Sequence, residues 1–184
     1  MDTLPQRLGR FELIRRIGVG STGAVYAARD PADGARAVAV KHLVRLDGDG
    51  VYRFKSEFRA LTFVVHPHLV RLYELIEDHR EWLVTMELVE GDDFLDYVRP
   101  AGVLDVARLE HALVGIVSGL GALHAHGKLH RDLKPSNVRV TPAGRVVVLD
   151  LGLALVLEAA RLGAPGDGRG GAPELAGTPA YMSP

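Results

Sequence analysis

Eight consecutive residues, His130-Arg131-Asp132-Leu133-Lys134-Pro135-Ser136-Asn137, gather a candidate general base, a cation and a candidate metal ligand. Thirteen residues after Asn137 stands Asp150, in Asp150-Leu151-Gly152, a second hard oxygen ligand. Far upstream lies Gly18-Val19-Gly20-Ser21-Thr22-Gly23-Ala24-Val25, and sixteen residues after that valine comes Lys41 in Val38-Ala39-Val40-Lys41. Glycines let backbone N–H groups approach phosphate oxygens with no Cβ atom in the way. A Gly-x-Gly-x-x-Gly alone is a weak sign. The dinucleotide-binding form opens a helix, whereas Ala24-Val25-Tyr26-Ala27-Ala28 reads as a strand, so the loop here is a lid between two strands. Alternate strand residues share a face, which pairs Ala39 with Lys41 and Gly23 with Val25. Val25 and Ala39 are then placed to cover a purine while Lys41 reaches its phosphates.

Taken together and in this order, these motifs resemble the signature set of the eukaryotic-like serine/threonine protein kinases of bacterial type, from about Phe11 to Pro184. The resemblance implies a two-lobed α+β fold: an antiparallel N-lobe sheet with one helix over residues 11–89, then an incomplete, mainly helical C-lobe over 90–184. It implies transfer of the ATP γ-phosphate to serine or threonine hydroxyls of protein substrates. Asp132 is then the proton acceptor, and Lys134 stabilises the transferring group, a lysine that tyrosine kinases generally lack. Asn137 completes the catalytic set and, with Asp150 as the chief ligand, holds Mg²⁺ carried on ATP. The ATP site would run from Ile17 through Gly18, Val19, Gly20, Ser21, Thr22, Gly23, Ala24 and Val25 to Ala39 and Lys41. Glu57 would pair with Lys41, Met86 would guard the back of the purine pocket, and the backbone of Glu87 to Val89 would meet the adenine edge. Asp93 is a weaker candidate for a ribose contact. Leu61, Leu72, His130 and Leu151 would stack as an apolar column linking the lobes.

The elements needed to position these residues follow from periodicity. Phe11 to Ile17, Ala24 to Arg29 and Ala35 to Leu43 read as strands of a meander, with a turn at Asp30-Pro31-Ala32-Asp33-Gly34. Phe54, Phe58, Leu61 and Val65 recur at three- and four-residue spacing and predict a helix over Val51 to Val65. Val70 to Ile76 and Trp82 to Leu88 read as strands, and Glu90-Gly91-Asp92-Asp93 as a hinge. Leu109, Leu113, Ile116, Val117 and Leu120 form a second helical stripe ending at Gly127. Val138 to Val140 and Arg145 to Leu149 form a hairpin, and Gly163 to Gly171 reads as a mobile loop.

Composition narrows the field further. A chain of 184 residues with 47% hydrophobic and 24% charged side chains fits a globular domain, and a net charge of −1 gives no field favouring nucleic acid. Zero cysteines exclude disulfides and thiolate metal sites. The apolar stretch Val146 to Leu157 is too short to span a bilayer and contains Asp150, so no membrane segment and a cytoplasmic location are expected. His124, His126 and His130 do not match a helical His-x-x-x-His pair with a third ligand, which argues against a histidine metal site.

Three departures stand out. Arg139 occupies a strand position facing the nucleotide, where the family puts an aliphatic residue. Gly177-Thr178-Pro179-Ala180-Tyr181-Met182-Ser183-Pro184 breaks off before the glutamate that closes the family's activation segment, so a module that holds nucleotide or a protein partner without turnover is the rival expectation. Between Asp150 and Gly177 there is no Ser, Thr or Tyr, so activity independent of phosphorylation there is expected.

Overall fold

The computed structural model describes residues 6–20, 23–43, 49–79 and 81–151; the predicted loop at Gly163 to Gly171 and the segment Gly177 to Pro184 lie outside these. Six antiparallel strands form the first sheet: β1 (Arg7–Leu8), β2 (Phe11–Gly20), β3 (Gly23–Asp30), β4 (Arg36–Leu43), β5 (Leu72–Asp78) and β6 (Glu81–Glu87), in the order β1-β2-β3-β4-β6-β5. Alternation gives the sheet two apolar faces. Val38, Val40 and Leu83 join Phe11 and Ala28 in a small outer core. Ala39, Leu43, Trp82, Val84 and Met86 face the opposite way, into the main core. Lys41, between Ala39 and Leu43, is carried onto that inner face.

The turn after β3 is built from its own sequence. Asp30 accepts a hydrogen bond from the Ala32 amide at 3.0 Å, Pro31 opens a single 3-10 turn, and Gly34 closes it at φ 59°. Arg10 grips Asp30 through two hydrogen bonds of 2.9 and 2.8 Å and reaches Glu74 at 2.8 Å, tying the start of β2 to β3 and β5.

Helix α1 (Asp49–Thr62) lays Phe54, Phe58 and Leu61 into the main core, as their spacing predicts. Val65 does not join them. The helix stops at Thr62, a turn with Val64 N–H bonded to the Leu61 carbonyl follows, and the phase shift buries Val64 while leaving Val65 59% exposed.

Past β6, a second sheet of β7 (Asp92–Asp93), β8 (Val138–Val140) and β9 (Val146–Val148) runs in the order β7-β8-β9. The segment read as a plain hinge thus contains a short strand, and it leads straight into α2 (Phe94–Val98), capped by Asp93 accepting from the Asp96 amide at 3.1 Å. Five residues are too few to show helical periodicity.

Helix α3 (Val106–Ala125) keeps only part of its predicted face: Leu109, Ile116 and Leu120 pack on the main core. Ala112, Gly115, Ile116, Gly119 and Leu123 are buried, whereas Leu113 and Val117 are exposed. Small residues decide this. A Cβ on Gly115 would lie 2.7 Å from the Val146 Cβ, so glycine lets α3 press directly onto β9 and the 66–69 loop. This helix has the length and apolar composition to cross a membrane, but its small-residue stripe is packed inside the domain.

The two sheets are joined at that loop. Val70 N–H bonds the Val148 carbonyl and Val148 N–H bonds the His68 carbonyl, each at 2.9 Å, while His68 Nδ1 donates to the Val146 carbonyl at 2.8 Å. One apolar cluster therefore runs unbroken from Leu43 and Phe54 to Val148 and Leu151. Leu61, Leu72 and Leu151 belong to it, and His130 is likewise buried.

Candidate functional site

Strand register brings the distant motifs together. β3 and β4 pair Val25 with Lys41 and Ala27 with Ala39, and β4 and β6 pair Ala39 with Met86. Gly18, Val19 and Gly20 lie on β2 opposite Val25, Ala24 and Gly23. Ile17 packs against the main core from the same strand. Ser21 and Thr22, at the tip, lie outside the described residues. Gly23 has a second reason to be glycine besides phosphate access: at φ 139° its Cβ would stand 1.9 Å from the His42 carbonyl oxygen.

Lys41 is the most buried charge at this face. Its side chain is 5% exposed, and its Nζ lies 2.7 Å from Asp150 Oδ1. Such a charge is tolerable in a core only when paired. Its partner is the acid from the 150–152 motif, not Glu57. Glu57 Oε2 is instead 2.8 Å from Lys128 Nζ, in the turn ahead of the catalytic stretch. The expected Lys41–Glu57 pair is thus replaced by two others. Spacing within α1 could place Glu57 toward the cleft, but nothing in the motifs marked Lys128 as a competing cation.

The stretch from His130 to Asn137 folds around internal hydrogen bonds. Pro135–Asn137 forms a 3-10 turn, with Asn137 N–H bonded to the Lys134 carbonyl at 2.9 Å. Asn137 Nδ2 donates to the Asp132 carbonyl at 2.8 Å and to Asp132 Oδ2 at 3.2 Å. That fixes the amide, leaving Oδ1 as the acceptor not turned to Asp132. Lys134 Nζ lies 2.8 Å from Asp132 Oδ2. The carboxylate is therefore held between a cation and an amide, oriented by both.

His130 couples this stretch to the strand that carries Asp150. Its Nε2 is 2.7 Å from the Leu149 carbonyl, which can only accept, so Nε2 bears the proton. Nδ1 is then free to accept from the Asp132 amide at 3.3 Å. Burial pushes the imidazole below the ordinary histidine value, consistent with this neutral form. Leu149 N–H bonds the Asn137 carbonyl at 2.8 Å, closing the link. Arg131 and Asp150 both sit at positive φ, 61° and 52°, which is uncommon for side chains of this size. Two of the described residues at positive φ thus stand at the acids of the site, Arg131 beside Asp132 and Asp150 itself.

The segment after Met86 is tied down on both sides. Glu87 N–H bonds the Arg71 carbonyl at 2.8 Å, and the Glu87 carboxylate pairs with Arg145 of the β8–β9 turn. With its amide committed, Glu87 has only its carbonyl for a base edge, so a donor to that edge must come from Leu88 or Val89. Asp93 spends Oδ1 capping α2. Arg139 lies on β8 with Asn137's face, and its Nη1 donates to the Gly91 carbonyl at 3.0 Å. The arginine found where an aliphatic residue was expected thus braces the segment that joins the two sheets.

Among the described residues there is no cluster of three His, Asp or Glu side chains able to hold a metal on its own. The oxygens of Asn137 and Asp150 are the hard donors of this cleft, and they fit a divalent cation that brings further ligands with it.

Comparison with known proteins shows the family. The family model of the protein kinase domain matches residues 11–184. The serine/threonine-protein kinase pkn2 of Myxococcus xanthus is 34% identical over 96% of this chain, which spans 21% of that protein's length. The CBL-interacting protein kinase 4 of Oryza sativa subsp. japonica is 36% identical over 96% of the chain, covering 39% of its own length. A probable serine/threonine-protein kinase PknB of Lactococcus lactis is 33% identical over 80% of the chain and 24% of its own length. The chain thus spans well under half of these relatives. With the family model of the protein kinase domain matched from Phe11 to Pro184, the chain belongs to the protein kinase domain family.

Proposed function

We propose that this domain transfers the γ-phosphate of ATP to serine and threonine hydroxyls of protein substrates. The observation that carries the reading is the oriented Asp132, held by Lys134 at 2.8 Å and by the Asn137 amide, and linked through His130 and the Leu149 carbonyl to the segment that brings Asp150 to Lys41. Phosphoryl transfer asks mainly for positioning and for neutralising charge on the phosphate oxygens. In this reading Asp132 accepts the hydroxyl proton and Lys134 steadies the transferring group. Lys41 steadies the nucleotide phosphates under the lid from Ile17 to Val25. Ala39, Met86 and the backbone of Glu87 to Val89 surround the base, with the lobes meeting between residues 89 and 90.

Mg²⁺ is the metal we assign: Asp150 and Asn137 Oδ1 would hold it, and it would supply neutralising charge for the phosphates. Soluble protein substrates and a cytoplasmic setting fit this reading. The names of the relatives, all Ser/Thr or CBL-interacting kinases, support the choice of hydroxyl. The test is transfer of radiolabelled γ-phosphate to casein, followed by acid hydrolysis and phosphoamino acid separation. Label on serine and threonine supports the reading, whereas label on tyrosine, or none under conditions where Mg·ADP binds, contradicts it.

A further inference from the structure

Two cations and two acids of the site are paired in an unexpected way. Lys41 holds Asp150 at 2.7 Å, and Lys128 holds Glu57 at 2.8 Å. In protein kinases the strand lysine must engage the helix glutamate while the second acid holds the metal. That Lys–Glu requirement belongs to the family. Lys128 belongs to no motif, and it is the residue that occupies Glu57 here.

Its position is built into the chain. α3 ends with Gly127 at φ 66°, Gly127 N–H bonded to the His124 carbonyl at 2.9 Å and Lys128 N–H bonded to the Leu123 carbonyl at 3.0 Å. This paired closure is a Schellman cap, which fixes the direction in which the next side chain leaves the helix. Lys128 is two residues before His130, so the cap aims an ammonium group across to α1 from the base of the catalytic stretch. The pair is three-quarters buried, with the Lys128 and Glu57 side chains 23% and 30% exposed. A pair so placed is screened less than one in open water.

We propose that Lys128 is a positioning residue that competes with Lys41 for Glu57 and thereby sets how readily the cleft accepts a metal-bound nucleotide. The inference rests on the nucleotide-binding reading above. Two sets of pairs exclude each other in this scheme. In one, Lys128 holds Glu57, and Lys41, deprived of the helix acid, neutralises Asp150. In the other, Glu57 takes Lys41, and Asp150 is released to coordinate the metal. Only the second suits Mg·ADP or Mg·ATP, so the nucleotide must overcome the Lys128–Glu57 contact to bind. No covalent step is involved, and charge is conserved, because each acid keeps one cationic partner throughout.

Calorimetry with the whole chain tests this, using Mg·ADP and adenosine as separate probes. Lys128→Met keeps the stem and removes the charge, and it is expected to tighten Mg·ADP about three- to tenfold, the scale of a partly exposed ion pair. Adenosine, which has no phosphates and brings no metal, is expected to bind as it does to the wild type. Lys128→Arg is expected to restore the wild-type Mg·ADP affinity, and Lys128→Met is expected to add nothing in a Glu57→Gln background. A purely structural role would shift both probes together and would persist without the Glu57 carboxylate. The proposal is overturned if Lys128→Met leaves Mg·ADP affinity unchanged or weakens it, if adenosine shifts equally, or if the effect survives Glu57→Gln. If the wild type binds adenosine but shows no affinity for Mg·ADP, the phosphate and metal roles themselves are wrong and the inference falls with them, a failure separable from the others.

Discussion

At the residue scale the site depends on a few side chains whose partners leave little freedom. Lys41 is buried, and its short contact is with Asp150. Lys41→Met removes the cation meant for the phosphates and strands an acid in the cleft. Phosphate transfer is expected to fall by at least about 10²-fold, the scale of losing one preorganised charge, and steady-state kinetics on casein measure it. An unchanged rate would remove Lys41 from the site. His130 supplies a second prediction with a defined sign. Its folded-state value is depressed by burial, so the stability it contributes is complete above about 6.5 and is lost as the pH falls through the lowered value. His66, also lowered mainly by burial and then by His68, acts in the same direction. The melting temperature should therefore drop between pH 7.5 and 5.5, and His130→Phe should make that drop smaller. A melting temperature independent of pH over this range would show that neither ring is held neutral by the fold.

At the element scale, sequence pattern located most of the architecture. The strands of the meander, α1 and the β8–β9 hairpin all fall within a few residues of where alternation and helical spacing put them. Those patterns report which residues turn toward a core, and here the core is contiguous. At α3 the pattern was right for Leu109, Ile116 and Leu120 and misled for Leu113 and Val117, because the packed face also includes Ala112, Gly115 and Gly119. Small residues carry almost no periodic signal, yet they determine how closely a helix can approach. Gly115→Val is therefore expected to destabilise the domain by about 1–3 kcal/mol through overpacking against Val146, as read by urea unfolding. A stability within error of wild type would mean that α3 does not sit on β9 as described. Asp92–Asp93 and α2 were missed for a different reason: both are too short to show a period. Ion pairs were the least legible part. Sequence separation says nothing of the fact that Lys128 and Glu57, 71 positions apart, meet across the cleft.

At the scale of the whole molecule the two sheets are linked by polar side-chain contacts, by backbone hydrogen bonds and by one apolar cluster. Glu87–Arg145 and Arg139 to Gly91 brace the connecting segment, while the 66–70 loop is zipped to β9 by backbone bonds. The absence of any Ser, Thr or Tyr between Asp150 and Gly177 leads to a prediction about control. Arg131, exposed beside Asp132, has no phosphorylatable partner within that stretch. Phosphatase treatment is thus expected to leave the transfer rate within about twofold, and a large loss traced by mass mapping to Thr178 would refute this.

The central claim is that Asp132 is the proton acceptor of a phosphoryl transfer carried out in this cleft. The most direct measurement compares wild type and Asp132→Asn for transfer of labelled phosphate from ATP to casein, with Mg·ADP affinity measured on the same samples. Asparagine keeps the size and the contact to Asn137 but cannot take the proton, so transfer should fall by about 10²- to 10⁴-fold while Mg·ADP affinity stays within a few-fold. Transfer by Asp132→Asn at the wild-type rate, with nucleotide affinity equally unchanged, would contradict the account.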